Sequence, residues 1–359
     1  MSPDEFRSHF PICAGAAYLA ACSQGPASRE TLAAGEKFLR SWREEGAAWT
    51  DWVEAAEEAR AAFAHLIHAD ADEVAVVSCA SAGAQAVASA LDFSGPRREI
   101  VTSPREFPSI AHVWMGQRAR GAEVRWAHDP LVGPETALVS GYAVSYADGS
   151  RNDLPVLAER THAAGALLFV DAYQGAGVVP LDVRAIGCDF LVAGALKYLL
   201  GTAGIAFLYV RRELIERLLP SGGGWFAQRN PFAFDPFKLD PAPDARRFQA
   251  GTPAVMAGYV ARAGLQLLAE TEPEQVATHV ASLADELTER LRRMGAQVVS
   301  PAGGPLVCVE VPDPEHAAER LREAGVIVAP RGRVIRLSLH YFNNREDVAR
   351  AAEALSGLV

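Results

Sequence analysis

Cysteine is scarce and widely spaced in this 359-residue chain. Cys13, Cys22, Cys79, Cys188 and Cys308 form no Cys-x-x-Cys pair and no Cys/His cluster at zinc spacing. That excludes a disulfide framework and a structural zinc module, and it fits a reducing compartment. Cys308 lies in the apolar run Pro305–Val311 and reads as a small buried hydrophobe. No residues suggest a metal site. No apolar run approaches the ~20 residues that a bilayer-spanning helix needs. The first ten residues lack the basic start and apolar stretch of a secretory leader, so a cytoplasmic protein without membrane attachment is expected. Positive charge is also short: the net charge of −10 argues against a general nucleic-acid binder. A Gly-x-Ser-x-Gly elbow, a His-Glu-x-x-His pair and a P-loop are absent. Gly175-Ala-Gly177 follows a strand-like run, but Pro180 stands where a dinucleotide fingerprint needs its third glycine.

What is present is apolar. Half of the residues are hydrophobic, enough for a large core. At this length two domains are expected, because single cores stop growing near ~250–300 residues. Residues 1–30 read as an irregular arm that packs with the small domain or a partner subunit. Two helices are expected within 30–68 from the spacing of Phe38, Leu39, Trp42, Trp52, Ala55 and Ala59. Apolar strands are then expected at Val74–Ser78, Glu99–Thr102, Ala122–Trp126, Ala137–Ser145, Ala166–Val170, Phe190–Ala193 and Ile205–Val210. Helical stretches at Gly83–Leu91, Ser109–Arg120 and Leu154–Ala164 lie between them. This alternation predicts an α/β fold with a mostly parallel seven-stranded sheet flanked by helices. Residues 220–253, rich in Pro, Gly and Phe, read as a long loop that closes a large domain of 31–253. A smaller C-terminal α+β domain, 254–359, is expected from two long helices and the short strands Gln297–Ser300, Leu306–Val311, Val326–Ala329 and Val334–Ser338.

Ligands on such sheets bind beyond the C-terminal ends of the strands. Three strand ends there carry chemistry. One delivers Asp171, one delivers Lys197, and one delivers Ser81 and Ala82 at the start of a helix. Asp171 and Lys197 are 26 residues apart on successive strands. This set matches the needs of pyridoxal 5′-phosphate (PLP): an amine for its aldehyde, a carboxylate for its ring nitrogen, and helix N–H groups with hydroxyls for its phosphate. Phe107 follows another strand and would cover one face of the ring.

The stretch Val170-Asp-Ala-Tyr-Gln174, with Leu181-Asp-Val, Gly187-Cys-Asp-Phe190, Lys197 and Gly201-Thr-Ala-Gly-Ile-Ala-Phe-Leu-Tyr-Val210, resembles the class V aminotransferases. The likeness continues through Arg247-Phe-Gln-Ala-Gly-Thr-Pro253 and Arg336-Leu-Ser-Leu-His-Tyr-Phe-Asn343. It implies the fold type I architecture of PLP-dependent transferases. By this resemblance Lys197 would form the Schiff base and shuttle the proton, and Asp171 would pair with the pyridine nitrogen. Gln174 would meet the ring hydroxyl, and Ser81 and Ala82 the phosphate. Gly251 and Thr252 would reach the phosphate of a neighbouring subunit, implying a homodimer with shared sites. Arg336 would bind the substrate α-carboxylate, where a bidentate fork suits it.

The departures from that pattern bear on the reaction. Cysteine desulfurases carry a nucleophilic cysteine shortly before the strand of the carboxylate arginine, and Ala329-Pro-Arg-Gly-Arg333 has none. Persulfide chemistry needs that thiolate. Gly194 stands where a hydroxyl usually precedes the lysine by three residues, so a phosphate contact must come from elsewhere, with Trp225 in Gly222-Gly-Gly-Trp225 as one source. Gln24 is a candidate to face substrate. Glu106-Phe-Pro-Ser109 and Lys197-Tyr198-Leu199 lean toward kynureninases. An aminotransferase acting on a small amino acid is the first expectation. A C–S or C–C lyase, kynureninase-like or cysteine-conjugate lyase, or an epimerase is the alternative. A non-catalytic PLP-fold protein and a nucleotide-dependent oxidoreductase are more remote readings.

Overall fold

The structure is a computed structural model and describes residues 1–358. Twelve strands are labelled in chain order: β1 (Ala17–Tyr18), β2 (Val74–Val77), β3 (Glu99–Thr102), β4 (Glu123–Trp126), β5 (Thr136–Tyr142), β6 (Leu167–Asp171), β7 (Phe190–Gly194), β8 (Ala206–Val210), β9 (Leu306–Glu310), β10 (Val326–Ile327), β11 (Ala329–Arg331) and β12 (Val334–Ser338). Seven of them form one sheet in the order β2-β8-β7-β6-β5-β3-β4. Only β8 opposes its neighbours. The strands β2, β7 and β8 are buried at every position, as expected of apolar runs covered on both faces. The outer strand β4 has no fully buried residue: its two ends are exposed and its middle pair half-buried, as suits an edge strand.

This topology sets the site. Because β8 is antiparallel to both β2 and β7, those two run parallel, and Val77 and Gly194 lie level through Ala206. Asp171, the last residue of β6, pairs with Val192 of β7. The C-terminal ends of β2, β6 and β7 therefore open onto one edge of the sheet.

The helix expected from Gly83 begins at Ala80. Ala80, Ser81 and Ala82 are competent helix residues, and Gly83 is a packing position: a Cβ there would lie 3.0 Å from Val192 Cγ2. The early start brings the helix N-terminus to the end of β2. The helix expected to reach Arg120 stops at Gly116 and ends in a 3₁₀ turn. Gln297–Ser300 is not a strand. It makes the single bridge Val298 to Val309, with Gly295 at φ +87 before it and Pro301 after it. Residues 220–253 hold only short 3₁₀ turns.

The C-terminal part is a three-stranded antiparallel sheet, β11-β12-β9, with helices Pro273–Arg293, Pro314–Glu323 and Arg345–Leu355. The N-terminal arm is more ordered than its sequence suggests. Ser2 and Glu5 form a capping box on a helix over Pro3–Ser8. Phe6 and Phe10 pack on His340, Tyr341 and Phe342, and Arg7 grips Asp347 with both guanidinium nitrogens. The arm then pairs β1 in parallel with β10. The helix Val255–Ala269 packs instead on the helices Arg29–Glu45 and Trp49–Leu66, through Ala34, Ala55, Tyr259 and Ala263. Among the described residues no helix is long and apolar enough to cross a membrane.

Candidate active site

A cavity of about 230 Å³ opens at the sheet edge where β2, β6 and β7 end. Ser81, Phe107, Asp171, Gln174 and Lys197 all line it. The two groups whose convergence matters most, the Asp171 carboxylate and the Lys197 amine, therefore face one space.

Lys197 sits in a turn after β7 that is held from several sides. Gly201 N donates to Ala195 O, Gly25 N to Leu196 O, and His340 lies 3.0 Å from Tyr198 O through Nε2. Leu200 adopts φ +59 to close the turn. The amine has no acid within ion-pairing distance among the described residues and lies between two aromatic rings, 4.4 Å from the centre of Tyr173 and 5.5 Å from that of Phe107. Burial pushes its pKa down to about 8, against the opposing fields of Asp171 and Cys22, and Arg336 and Arg331 push it the same way as burial.

Asp171 is buried. Its Oδ1 accepts the Tyr173 N–H at 2.8 Å, and no other hydrogen bond reaches the carboxylate among the described residues. Burial raises its pKa, while that N–H and the Lys197 ammonium pull it back. Gln174 donates Nε2–H to Cys22 O, which leaves its Oε1 buried and without a partner. A buried acceptor without a partner is costly unless a ligand satisfies it. The first turn of the Ala80–Ala90 helix has no side-chain cap from Cys79, and the Ser81 hydroxyl makes no hydrogen bond among the described residues. Free helix N–H groups are an anion cradle. An amine, a free carboxylate oxygen, an orphaned amide oxygen and an uncapped helix start around one cavity fit a phosphorylated pyridine aldehyde.

The remaining expected residues lie elsewhere. Ala82, Gly251 and Thr252 line a neighbouring cavity on the other side of the same helix. Trp225 is not at the site in its own chain; it packs in an aromatic cluster with Trp49, Phe226, Phe232 and Phe234. Gln24 does not face the cavity, because its Nε2 serves the carbonyls of Gly25, Leu196 and Gly201. Arg336 is 1% exposed and has no carboxylate partner among the described residues. It stands one layer behind the cavity wall, donating to Tyr146 O at 3.1 Å. Tyr146 is on the wall and meets Phe107 edge to face at 5.0 Å.

Among the wall residues that sequence reasoning missed, three carry polar chemistry close to the expected residues: Tyr173, Glu106 and Arg105. Tyr173, between the two residues singled out at 171 and 174, has the spacing of a core aromatic. Glu106 is buried; burial, and the Asp171 charge, hold its carboxyl well above the usual range. It accepts from Phe107 N and Ser140 Oγ, at 2.9 Å each, and so fixes the backbone of the aromatic lid. Its neighbour Phe107 was the only signal that pointed to it. Arg105 is half-exposed on the wall and pairs with Asp148 at 3.2 Å. The segment Ala329–Arg333 is a tight hairpin whose last pair is Arg331 with Val334, which leaves no room for a mobile cysteine loop.

Residues 18–351 match the family model described as aminotransferase class-V. The chain is 35% identical to the uncharacterized aminotransferase YcbU of Bacillus subtilis, over 99% of this chain and 97% of that protein. It is 29% identical to a kynureninase of Deinococcus radiodurans, over 82% of this chain and 75% of that one. In structure it resembles a C-DES mutant with glycine covalently linked to its PLP cofactor, with a TM-score of 0.89 at 20% identity, covering 98% of this chain and 99% of that chain.

Proposed function

The chain belongs to the class V aminotransferase family and its cofactor is pyridoxal 5′-phosphate; from that premise we propose that it moves the amino group of a small amino acid to a keto acid at the cavity between Asp171 and Lys197. The observation that carries the reading is the shared cavity itself, with its neutralisable amine and its free carboxylate oxygen.

When bound, the cofactor supplies an electron sink for a carbanion at the substrate α-carbon. The protein does the rest. Lys197 would anchor the cofactor, and its lowered pKa suits Nζ to take the proton from the substrate Cα and deliver it to the carbon on the far side of the substrate nitrogen. Asp171, through its free carboxylate oxygen, would keep the ring nitrogen protonated, and Gln174 would meet the ring hydroxyl. Phe107 and Tyr173 exclude water from both sides of the amine. Ser81 and the first N–H groups of its helix hold the phosphate. Arg336, one layer behind the wall at Tyr146, would supply the positive charge for the substrate carboxylate. Its guanidinium is buried against the carbonyls of Ala329 and Tyr146. A homodimer in which Gly251 and Thr252 complete the partner's phosphate site, within a cytoplasmic protein, completes this reading.

A lyase is the second reading. It is favoured by the kynureninase likeness and by Glu106, a wall carboxyl that burial and the Asp171 charge hold well above the usual range. The test is to incubate the holoenzyme with a panel of amino acids, with and without keto acids. Transamination yields a new amino acid and a matching keto acid only when an acceptor is present. Release of ammonia, thiol or alanine without an acceptor would replace it with the lyase.

A further inference from the structure

We propose that the Tyr173 hydroxyl is a phosphate ligand of the cofactor, occupying the space that the absent side chain at Gly194 leaves. This rests on the reading of the cavity as the cofactor site.

Four observations place the hydroxyl. First, a Cβ built on Gly194 would fall inside the Tyr173 ring, against Cζ, Oη and Cε2. The tyrosine thus fills the space directly above the end of β7, and no side chain at 194 fits beside it. Second, Gly194 lies level with Val77, three residues before the helix that starts at Ala80. That helix packs its first turn over β7 through Gly83 and Val192. The Tyr173 hydroxyl and the uncapped helix N–H groups therefore share one corner of the cavity. Third, Tyr173 Oη makes no hydrogen bond among the described residues, although the ring is half-buried and lines the cavity with Cys79, Ala80 and Ser81. A buried or half-buried phenol normally finds a partner for its O–H. Fourth, burial, with Asp171 and Cys79 nearby, pushes the phenol up to about 12. It stays protonated and donates, as an anion requires. Tyr173 N–H also holds Asp171 Oδ1 at 2.8 Å, so one residue supports both ends of the cofactor.

The test uses apoprotein titrated with pyridoxal 5′-phosphate and, separately, with pyridoxal, followed by absorbance and by thermal shift. Tyr173→Phe keeps the ring and removes the donor. Loss of one charge-assisted hydrogen bond should raise the Kd for pyridoxal phosphate by roughly 10- to 100-fold and leave that for pyridoxal unchanged. In Tyr173→Ala the affinity falls further, and Gly194→Ser added to it should recover part of the loss, since the serine then has room. An unchanged Kd for pyridoxal phosphate in Tyr173→Phe, an equal loss for both ligands, or no recovery in the double variant overturns the proposal. Borohydride reduction of the wild type and of Tyr173→Phe at saturating cofactor separates the two readings. Absence of label on Lys197 in the wild type would sink the site itself. Label on Lys197 in both proteins, with equal affinities, sinks only the role of Tyr173.

Discussion

At the scale of single residues, the site works by leaving groups unsatisfied. Arg336 is a buried cation without an acid, which is unfavourable unless a ligand brings the negative charge. Arg336→Ala should therefore raise the KM for the amino acid by the value of a charged hydrogen bond, about 1.5–3 kcal/mol or roughly 10- to 100-fold, with cofactor absorbance intact. Arg105→Ala is the control, because that arginine already has Asp148. A KM that moves with Arg105 and not with Arg336 would transfer the carboxylate to Arg105. Lys197 makes a prediction in pH. Only a neutral amine attacks an aldehyde, and its pKa is lowered to about 8 instead of 10.5. Attachment of pyridoxal phosphate to the apoprotein should speed up as pH rises toward about 8 and level off above it. Stopped-flow absorbance reads this directly; a rate still climbing at pH 10 would mean an unshifted lysine. Because Arg336 is one of the charges that depress Lys197, Arg336→Ala should move the midpoint upward.

At the scale of elements, the lysine turn is held by backbones that come unusually close. Gly264 lies inside the helix Val255–Ala269, where alanine ordinarily stabilises by about 0.5–1 kcal/mol. Here a Cβ would lie 2.6 Å from Leu199 O and 2.8 Å from Leu200 O. The sign should reverse: Gly264→Ala should destabilise by about 1–3 kcal/mol, because the helix must retreat from the turn. The urea midpoint measures it, and a more stable variant would mean that the helix does not brace Lys197. This contact also marks what the sequence could not tell. The seven strands were legible because continuous apolar runs have few other uses, and Asp171 and Lys197 were legible because they end such runs. Gly264 and Tyr173 were not, since each takes its meaning from a neighbour distant in sequence; Gly194 was legible as a missing hydroxyl, but not as the space that Tyr173 fills. The helix start slipped from Gly83 to Ala80 for the same reason: a glycine read as a start signal is a packing contact. Gln24 and Trp225 lie outside their own chain's cavity, and polar and aromatic loop residues carry no periodicity that would have aimed them.

At the scale of the whole molecule, the proposed homodimer has an apolar surface on which to form. Phe232, Phe234, Phe237 and Leu239 lie exposed along the loop of residues 220–253, with Phe237 97% exposed. Apolar loops of this kind mark association surfaces. Gly251 and Thr252, at the end of the same loop, are exposed on the far side of the phosphate helix and do not reach their own cavity. In the proposed homodimer they serve a neighbour's site. Gly251 also allows a clean probe, because an added Cβ meets nothing within 4 Å in its own chain. Gly251→Glu should fold normally, form dimers by light scattering, and lose the cofactor by repelling its phosphate. Lys197→Ala should fail at the anchoring step. Each homodimer is then inactive. When the two variants are unfolded together and refolded, every mixed dimer holds one site with both defects and one with neither, if the sites are shared across the interface. Activity should therefore appear on mixing. Were each site built from a single chain, both sites of the mixed dimer would keep a defect and the mixture would stay silent.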